Sequence, residues 1–132
     1  VGNAVSKQIP AHFEDLAMSQ ALEAWMQAVF ACNAYVDVQA PWALKKTDPE
    51  RMETVLATLF ICIAQLAIAA LPIIPGSATK LLDQMGVPNE VRNFADAGTH
   101  WYAPLAESGF QIAQPVGLFP RLELPAEEGA AA

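Results

Sequence analysis

Residues 55–71 read VLATLFICIAQLAIAAL, an almost unbroken apolar run in which only Thr58 and Gln65 carry polar side chains. Carried on to Ile74, it approaches the roughly 20 residues that cross a bilayer, so a membrane span and the central helix of a bundle both have to be weighed. Against insertion stand Gln65 and Thr58 inside the run, Pro72 before its end, and flanks without a Lys or Arg cluster to set an orientation. A helix that is apolar on every face also suits the middle of a helical bundle. The preceding segment, from Glu14 to about Gln39, offers a surface to cover it, because Leu22, Trp25, Met26, Val29 and Val36 recur with helical period. The burial reading is preferred, and no membrane partner is expected.

Working outward, Asp48-Pro49-Glu50 opens the central helix: Asp48 is an N-cap, Pro49 suits the first helical position, and the acid lies at the positive end of the helix dipole. This helix is expected from about Pro49 to Leu71. Ala40-Pro41-Trp42 closes the helix before it, so two long helices should be joined by a short turn. Upstream, residues 1–9 read as the end of a helix stopped before Pro10, which puts His12 in a connector. Downstream, Gly76 to Met85 should be helical and end at Gly86 in the left-handed conformation, and Pro88 should open a short helical stretch over about Asn89 to Ala97. Beyond Gly98, repeated Pro and Gly divide the chain into turns and short extended pieces. Leu118 to Leu124 suits a short docking strand, and Ala126 to Ala132 a frayed end. The expected fold is all-α: a helical bundle over residues 1–97 with an irregular returning segment, 98–132, in the same domain.

At 132 residues the chain is one domain by length. Apolar residues at 54% against 16% charged exclude a disordered chain. Seven Lys and Arg against 14 Asp and Glu give a net charge of −7, which argues against a polybasic nucleic-acid module, so any such contact must be local. Cys32 and Cys62 fall in apolar helices without metal-ligand spacing; they read as small core residues in a reducing compartment, and their spacing neither demands nor forbids a disulfide. His12 and His100 belong to no HExxH or Ser/His/Asp order, and no glycine-rich phosphate loop is present. Glu14, Asp15 and Glu23 read as a solvated face. No catalytic or metal-binding residue is assigned. Val1 stands where an initiator Met would, with no signal peptide, so the chain is expected to be part of a longer cytoplasmic protein.

The most specific stretch is Asn33-Ala-Tyr-Val-Asp-Val-Gln-Ala-Pro-Trp-Ala-Leu-Lys-Lys46. Asn33 lies on the stripe begun by Leu22, where a buried amide needs hydrogen-bond partners or costs about 1–3 kcal/mol, so it is expected as a buried organiser of the turn. Trp42 follows a proline that fixes the backbone. Its indole is either tucked under the bundle, the reading physics alone prefers, or presented on a rigid corner. Lys45, Lys46 and Arg51 form a small basic group beside it.

Asn33 to Lys46, the apolar helix, Leu71-Pro-Ile-Ile-Pro-Gly-Ser-Ala-Thr-Lys-Leu-Leu-Asp-Gln-Met-Gly86 and Leu118-Phe-Pro-Arg-Leu-Glu123 together resemble the C-terminal helical domain of methionyl-tRNA synthetases. The likeness covers most residues from about 20 to 124. The apolar helix and the proline-rich break are shared with leucyl, isoleucyl, valyl and cysteinyl relatives; the Ala-Pro-Trp corner selects methionine. The resemblance implies that Trp42, held by Pro41, stacks on a base of the CAU anticodon of tRNA(Met). Stacking contributes about 1–3 kcal/mol per base and tolerates any base, so specification needs hydrogen bonds. The family takes these from an asparagine and a basic residue four positions on, matched here in Gly2-Asn3-Ala-Val-Ser6-Lys7 by Asn3 and Lys7. Lys45, Lys46 and Arg51 become candidate phosphate contacts, which would set register rather than sequence and would make affinity fall with salt.

Two departures from the family stand out. Lys7 replaces the usual arginine, and an ammonium acts as a point charge where a guanidinium donates two parallel bonds, so discrimination should soften. Only Ile9 to Phe13 separates the Asn3/Lys7 helix from the Leu22 helix, where relatives carry some tens of residues. Either this member is shortened or the sequence joins two segments near Pro10; the second reading is preferred. The resemblance further implies an upstream catalytic domain that uses ATP and magnesium to charge tRNA(Met) with methionine, a monomeric parent, and no cofactor within these residues. The competing expectations are the equivalent domain of another class I synthetase and a helical protein-interaction module anchored by Trp42.

Overall fold

A computed structural model describes residues 1–124. The docking-strand region is thus covered, whereas the frayed end expected over Ala126 to Ala132 lies outside the described residues. The elements in order are a π-helical turn over Ala4–Gln8, α1 (Ile9–Glu14), α2 (Met18–Gln39), α3 (Pro41–Thr47), α4 (Pro49–Ala70), α5 (Pro75–Met85), a 3-10 turn over Asn89–Val91, α6 (Phe94–Ala97) and α7 (Ala103–Ser108). The described residues contain no strand, and the architecture is an all-α bundle.

Helix α4 is its axis. Asp48 caps it as the sequence predicts, its Oδ1 accepting the Arg51 backbone N–H at 3.0 Å, with Pro49 at the first position. The run is long and apolar enough to cross a membrane, yet Phe60, Ala64 and Leu66 to Ala70 are buried inside this structure. Helices α2, α3, α5 and α6 and the π-helical turn all pack on it. Each large apolar side chain fully removed from water contributes roughly 1.5–3 kcal/mol, which makes α4 the main source of the bundle's stability. Its one buried polar side chain, Gln65, is satisfied: Nε2 donates to the Ala97 carbonyl at 3.0 Å and so ties α4 to α6. Trp25 Nε1 donates to the Leu66 carbonyl at 2.9 Å and ties α2 to the same level.

Several local expectations are corrected. The first helix does not stop before Pro10. It continues to Glu14, because the turn upstream is widened: the Ile9 N–H donates to the Ala4 carbonyl, five residues back, and the loosened turn accommodates a ring that would otherwise crowd the preceding carbonyls. His12 therefore sits in a helix and not in a connector. The stretch near Pro10 where a join was expected lies within this helix, and only Asp15 to Ala17 separate it from α2, with Leu16 at φ 56° making the bend. The turn between the long helices is itself helical, α3, and α7 occupies part of the region expected as turns. Gly86, at φ 68°, ends α5 in the left-handed conformation as expected.

The returning segment is not a docking strand as far as Leu124, since among the described residues there is no strand for it to pair with. Gln84 stands in for one: its backbone carbonyl accepts from Ala113 N at 2.8 Å, and its side chain both accepts from Val116 N and donates to the Val116 carbonyl. Leu118 then reaches an apolar groove between α2, α4 and α5 that Trp25, Ile63 and Leu81 also line. Leu118 is half-buried there, whereas Phe119, Leu122 and Leu124 remain 72%, 93% and 94% exposed.

Candidate nucleic-acid interface

The sharpest surface feature is the corner between α2 and α3. Ala40 closes α2 in the left-handed region, φ 43° and ψ 63°, its N–H held by the Val36 carbonyl at 2.9 Å. A residue with a Cβ in that conformation costs on the order of 1–3 kcal/mol and persists only where its surroundings fix it. Here Pro41 does the fixing. It starts α3, is buried, and forces the chain to turn. Trp42 follows at 64% exposure, so the tucked position that physics alone prefers belongs to Pro41, and the indole stands on the rigid corner.

Lys45 and Lys46 lie three and four residues on from Trp42 in α3, hence on its face of the helix, and both are exposed. They occupy the last turn, where the helix dipole stabilises cations. Arg51 lies one step further, but its guanidinium donates to Gln39 Oε1 at 2.8 Å. It clamps the end of α2 to the start of α4 and thereby holds the corner from behind. Gln39 is a residue the sequence reading missed; nothing local marks a glutamine as the acceptor for an arginine in the next long helix.

Asn33 is exposed, contrary to its expected burial. The stripe that meets α4 runs one position from the expected one. The face of α2 that meets α4 carries Ala21, Ala28, Trp25 and Cys32, while Leu22 and Met26, which define the register of Asn33, are themselves about 40% exposed. Asn3 and Lys7 are exposed as well, on the first helix, which Val5 and Ile9 anchor in the core. Their spacing falls within one widened turn. The Ser6 hydroxyl donates to the Gly2 carbonyl at 2.7 Å, and Gly2 lies beside the Gln65 side chain. The Asn3/Lys7 helix therefore faces the later half of α4, whereas the Trp42 corner flanks its start. The rise along α4 from Arg51 to Gln65 is about 20 Å, so the two groups of candidate residues occupy different levels of one helix.

The model of the anticodon-binding domain of methionyl tRNA ligase matches residues 3–129. The chain belongs to that family. Among relatives of the domain, the methionine–tRNA ligase of Mesorhizobium japonicum is 47% identical over 102 residues, covering 76% of this chain and 19% of its own. That of Rickettsia felis is 41% identical over 111 residues, covering 83% and 21%, and that of Mycobacterium bovis 34% identical over 123 residues, covering 90% and 23%. The domain thus spans about a fifth of the length of the curated relatives it matches. Its fold agrees with the crystal structure of the free-state Mycobacterium tuberculosis methionyl-tRNA synthetase at a TM-score of 0.78 and 30% identity, over 94% of this chain and 25% of that one. The rival expectation of a different class I synthetase gives way to this assignment.

Among the described residues no three His, Cys, Asp or Glu side chains converge to hold a metal ion.

Proposed function

We propose that this domain reads the CAU anticodon loop of tRNA(Met) on behalf of a methionine–tRNA ligase, in which a catalytic domain of the same chain joins methionine to the tRNA with ATP and magnesium. The observation that carries the reading is the corner: a buried Pro41 and a left-handed Ala40 fix the backbone that presents Trp42 as an exposed aromatic platform. A base stacked there pays little ordering entropy on the protein side, because the corner is already fixed. Stacking anchors without specifying; Asn3 supplies an amide able to donate and accept at one base edge, and Lys7 a single cation beside it. Since the two groups sit at different levels of α4, the loop is read splayed open along the bundle, as single-stranded RNA commonly is. Lys45 and Lys46 meet phosphates next to the stacked base and set the register. Arg51 contributes the guanidinium donors not used by Gln39. The parent works as a monomer in the cytoplasm.

The test is binding of a CAU anticodon stem-loop, and of loops altered at each base, to the full-length ligase carrying wild-type or Trp42→Ala sequence. Loss of one stacked base weakens binding by about 1–3 kcal/mol, roughly 5- to 150-fold. Equal affinity of the two proteins for the CAU loop would remove Trp42 from the interface and with it the reading built on the corner.

A further inference from the structure

The helix that carries Asn3 and Lys7 has an aromatic neighbour, the loop that follows α6. A Cβ built on Gly98 would lie 2.8 Å from the Ser6 Cβ, so the loop backbone rests against that helix at the residue before Lys7. Gln65 ties the same level from inside: its Nε2 donates to the Ala97 carbonyl, and Gly2, the residue before Asn3, lies beside its side chain. Two residues of chain span at most about 7 Å, so His100 stays in the neighbourhood of the turn that bears Asn3 and Lys7. All three side chains are exposed. His100 is also the outer rung of an aromatic ladder. Trp101 is buried, and its Nε1 donates to the Ala97 carbonyl at 3.4 Å. Half-buried Tyr102 meets the Trp101 ring edge-on with centroids 5.9 Å apart, and the His100 ring at 5.8 Å with a 58° tilt. The backbone is held on both sides: the Thr99 N–H donates to the Asp96 carbonyl at 2.9 Å, and the His100 carbonyl accepts from the Ala103 N–H at 3.1 Å. The Asp96 carboxylate, the acid nearest this loop in sequence, is engaged by Asn93 Nδ2 at 2.8 Å.

We propose that His100 is a second base platform: one base of the anticodon loop stacks on its imidazole while Asn3 and Lys7 engage the adjoining nucleotide. The inference deepens the RNA-reading function proposed above and rests on it for the nature of the ligand. Single-stranded RNA is recognised by splaying bases onto aromatic faces, histidine among them, and by hydrogen bonds to their edges. A loop spread along α4 meets Trp42 at one end. At the other, Asn3 and Lys7 offer polar groups but no flat apolar face for an unstacked base. His100 supplies that face, on a backbone already fixed and against a tyrosine ring that braces it, so little ordering entropy is lost when a base settles there. Because the contact uses the face of the ring, another aromatic side chain serves in its place, and the contribution is insensitive to which base is stacked.

The experiment measures binding of a CAU anticodon stem-loop to the full-length ligase as wild type, His100→Ala, His100→Phe and Trp42→Ala, and repeats it with stem-loops carrying one abasic loop position at a time. His100→Ala should weaken binding roughly 5- to 150-fold, and His100→Phe should stay near wild type. One abasic position should weaken wild type yet cost His100→Ala nothing further, which a purely structural role would not produce. Diethyl pyrocarbonate modification of the wild-type ligase, mapped by mass spectrometry, gives an answer that needs no variant: the stem-loop should protect His100. Wild-type affinity in His100→Ala, a loss that adds to every abasic position, or an unprotected His100 would overturn the proposal. If Trp42→Ala weakens binding while His100→Ala does not, the corner stands and this platform falls; the reverse pattern removes the corner and leaves the platform standing.

Discussion

Gly98→Ala should destabilise the domain, and the reason is a neighbour rather than the backbone. Gly98 sits at φ −89° and ψ 0°, a conformation open to any residue. A Cβ built there would lie 2.8 Å from the Cβ and 3.3 Å from the Oγ of Ser6. Rotating Ser6 relieves only the hydroxyl contact, because its Cβ is fixed to the helix. That helix is held by Val5 and Ile9, at 0% and 1% exposure, so it retreats only by disturbing the core. Overpacking of this kind costs about 1–3 kcal/mol. Replacing glycine by alanine where the backbone allows it returns about 0.4–1 kcal/mol by restricting the unfolded chain. The net expectation is a loss of about 1–2 kcal/mol, or roughly 5–10 °C in Tm for a domain of this size. Urea unfolding followed by tryptophan fluorescence reports it, since Trp101 is buried beside Ala97. Ser6→Gly removes the obstructing Cβ, so Gly98→Ala should cost far less in that background than in wild type. Gly98→Ala at wild-type stability, or strict additivity with Ser6→Gly, would show that the first helix does not approach α6 as closely as described.

Two further substitutions separate buried from exposed polar residues. Gln65→Leu removes the donor that satisfies the Ala97 carbonyl, leaving it only the 3.4 Å bond from Trp101 Nε1, and should lower stability by about 1–3 kcal/mol in the same unfolding assay; a neutral result would mean the amide is dispensable to the α4–α6 contact. Asn33→Ala should change stability by no more than about 0.5 kcal/mol, because the side chain is exposed; a loss as large as that of Gln65→Leu would restore the buried role that the helical stripe suggests.

The parts of this fold visible in the sequence are those governed by local signals. The Asp48-Pro49 start of α4, its apolar run and the glycine end of α5 each depend on residues within a few positions. What escaped depends on pairings between distant residues. A proline inside a helix is tolerated only because the turn before it widens, and Pro10 alone does not announce that. The helical period of α2 identifies a face to within about one residue, and that margin is enough to exchange the exposed Asn33 for the half-buried Cys32. At the candidate site, the family resemblance singled out Trp42 where the residues alone preferred a tucked indole, and its exposure accompanies Pro41 taking the inward position. The role of Gln39 as partner of Arg51 had no local trace at all.

The acidic total had pointed away from nucleic acid, and the geometry explains why it misled. At physiological ionic strength charges act over about 8 Å, so a net charge of −7 distributed over the whole bundle is largely screened at any one point. What an RNA loop meets is the immediate surroundings of the indole. There Lys45 and Lys46 share the face of α3 that carries Trp42, and Arg51 braces the corner through Gln39. Beside the indole, Lys45 and Lys46 offer an anion local partners, although Asp48 and Glu50 are exposed just beyond them. The remaining acidity discourages polyanions elsewhere on the surface, which favours this one orientation over indiscriminate binding. If the proposed corner is the docking site, weak binding to RNA at large and selective docking there are both expected from this charge distribution.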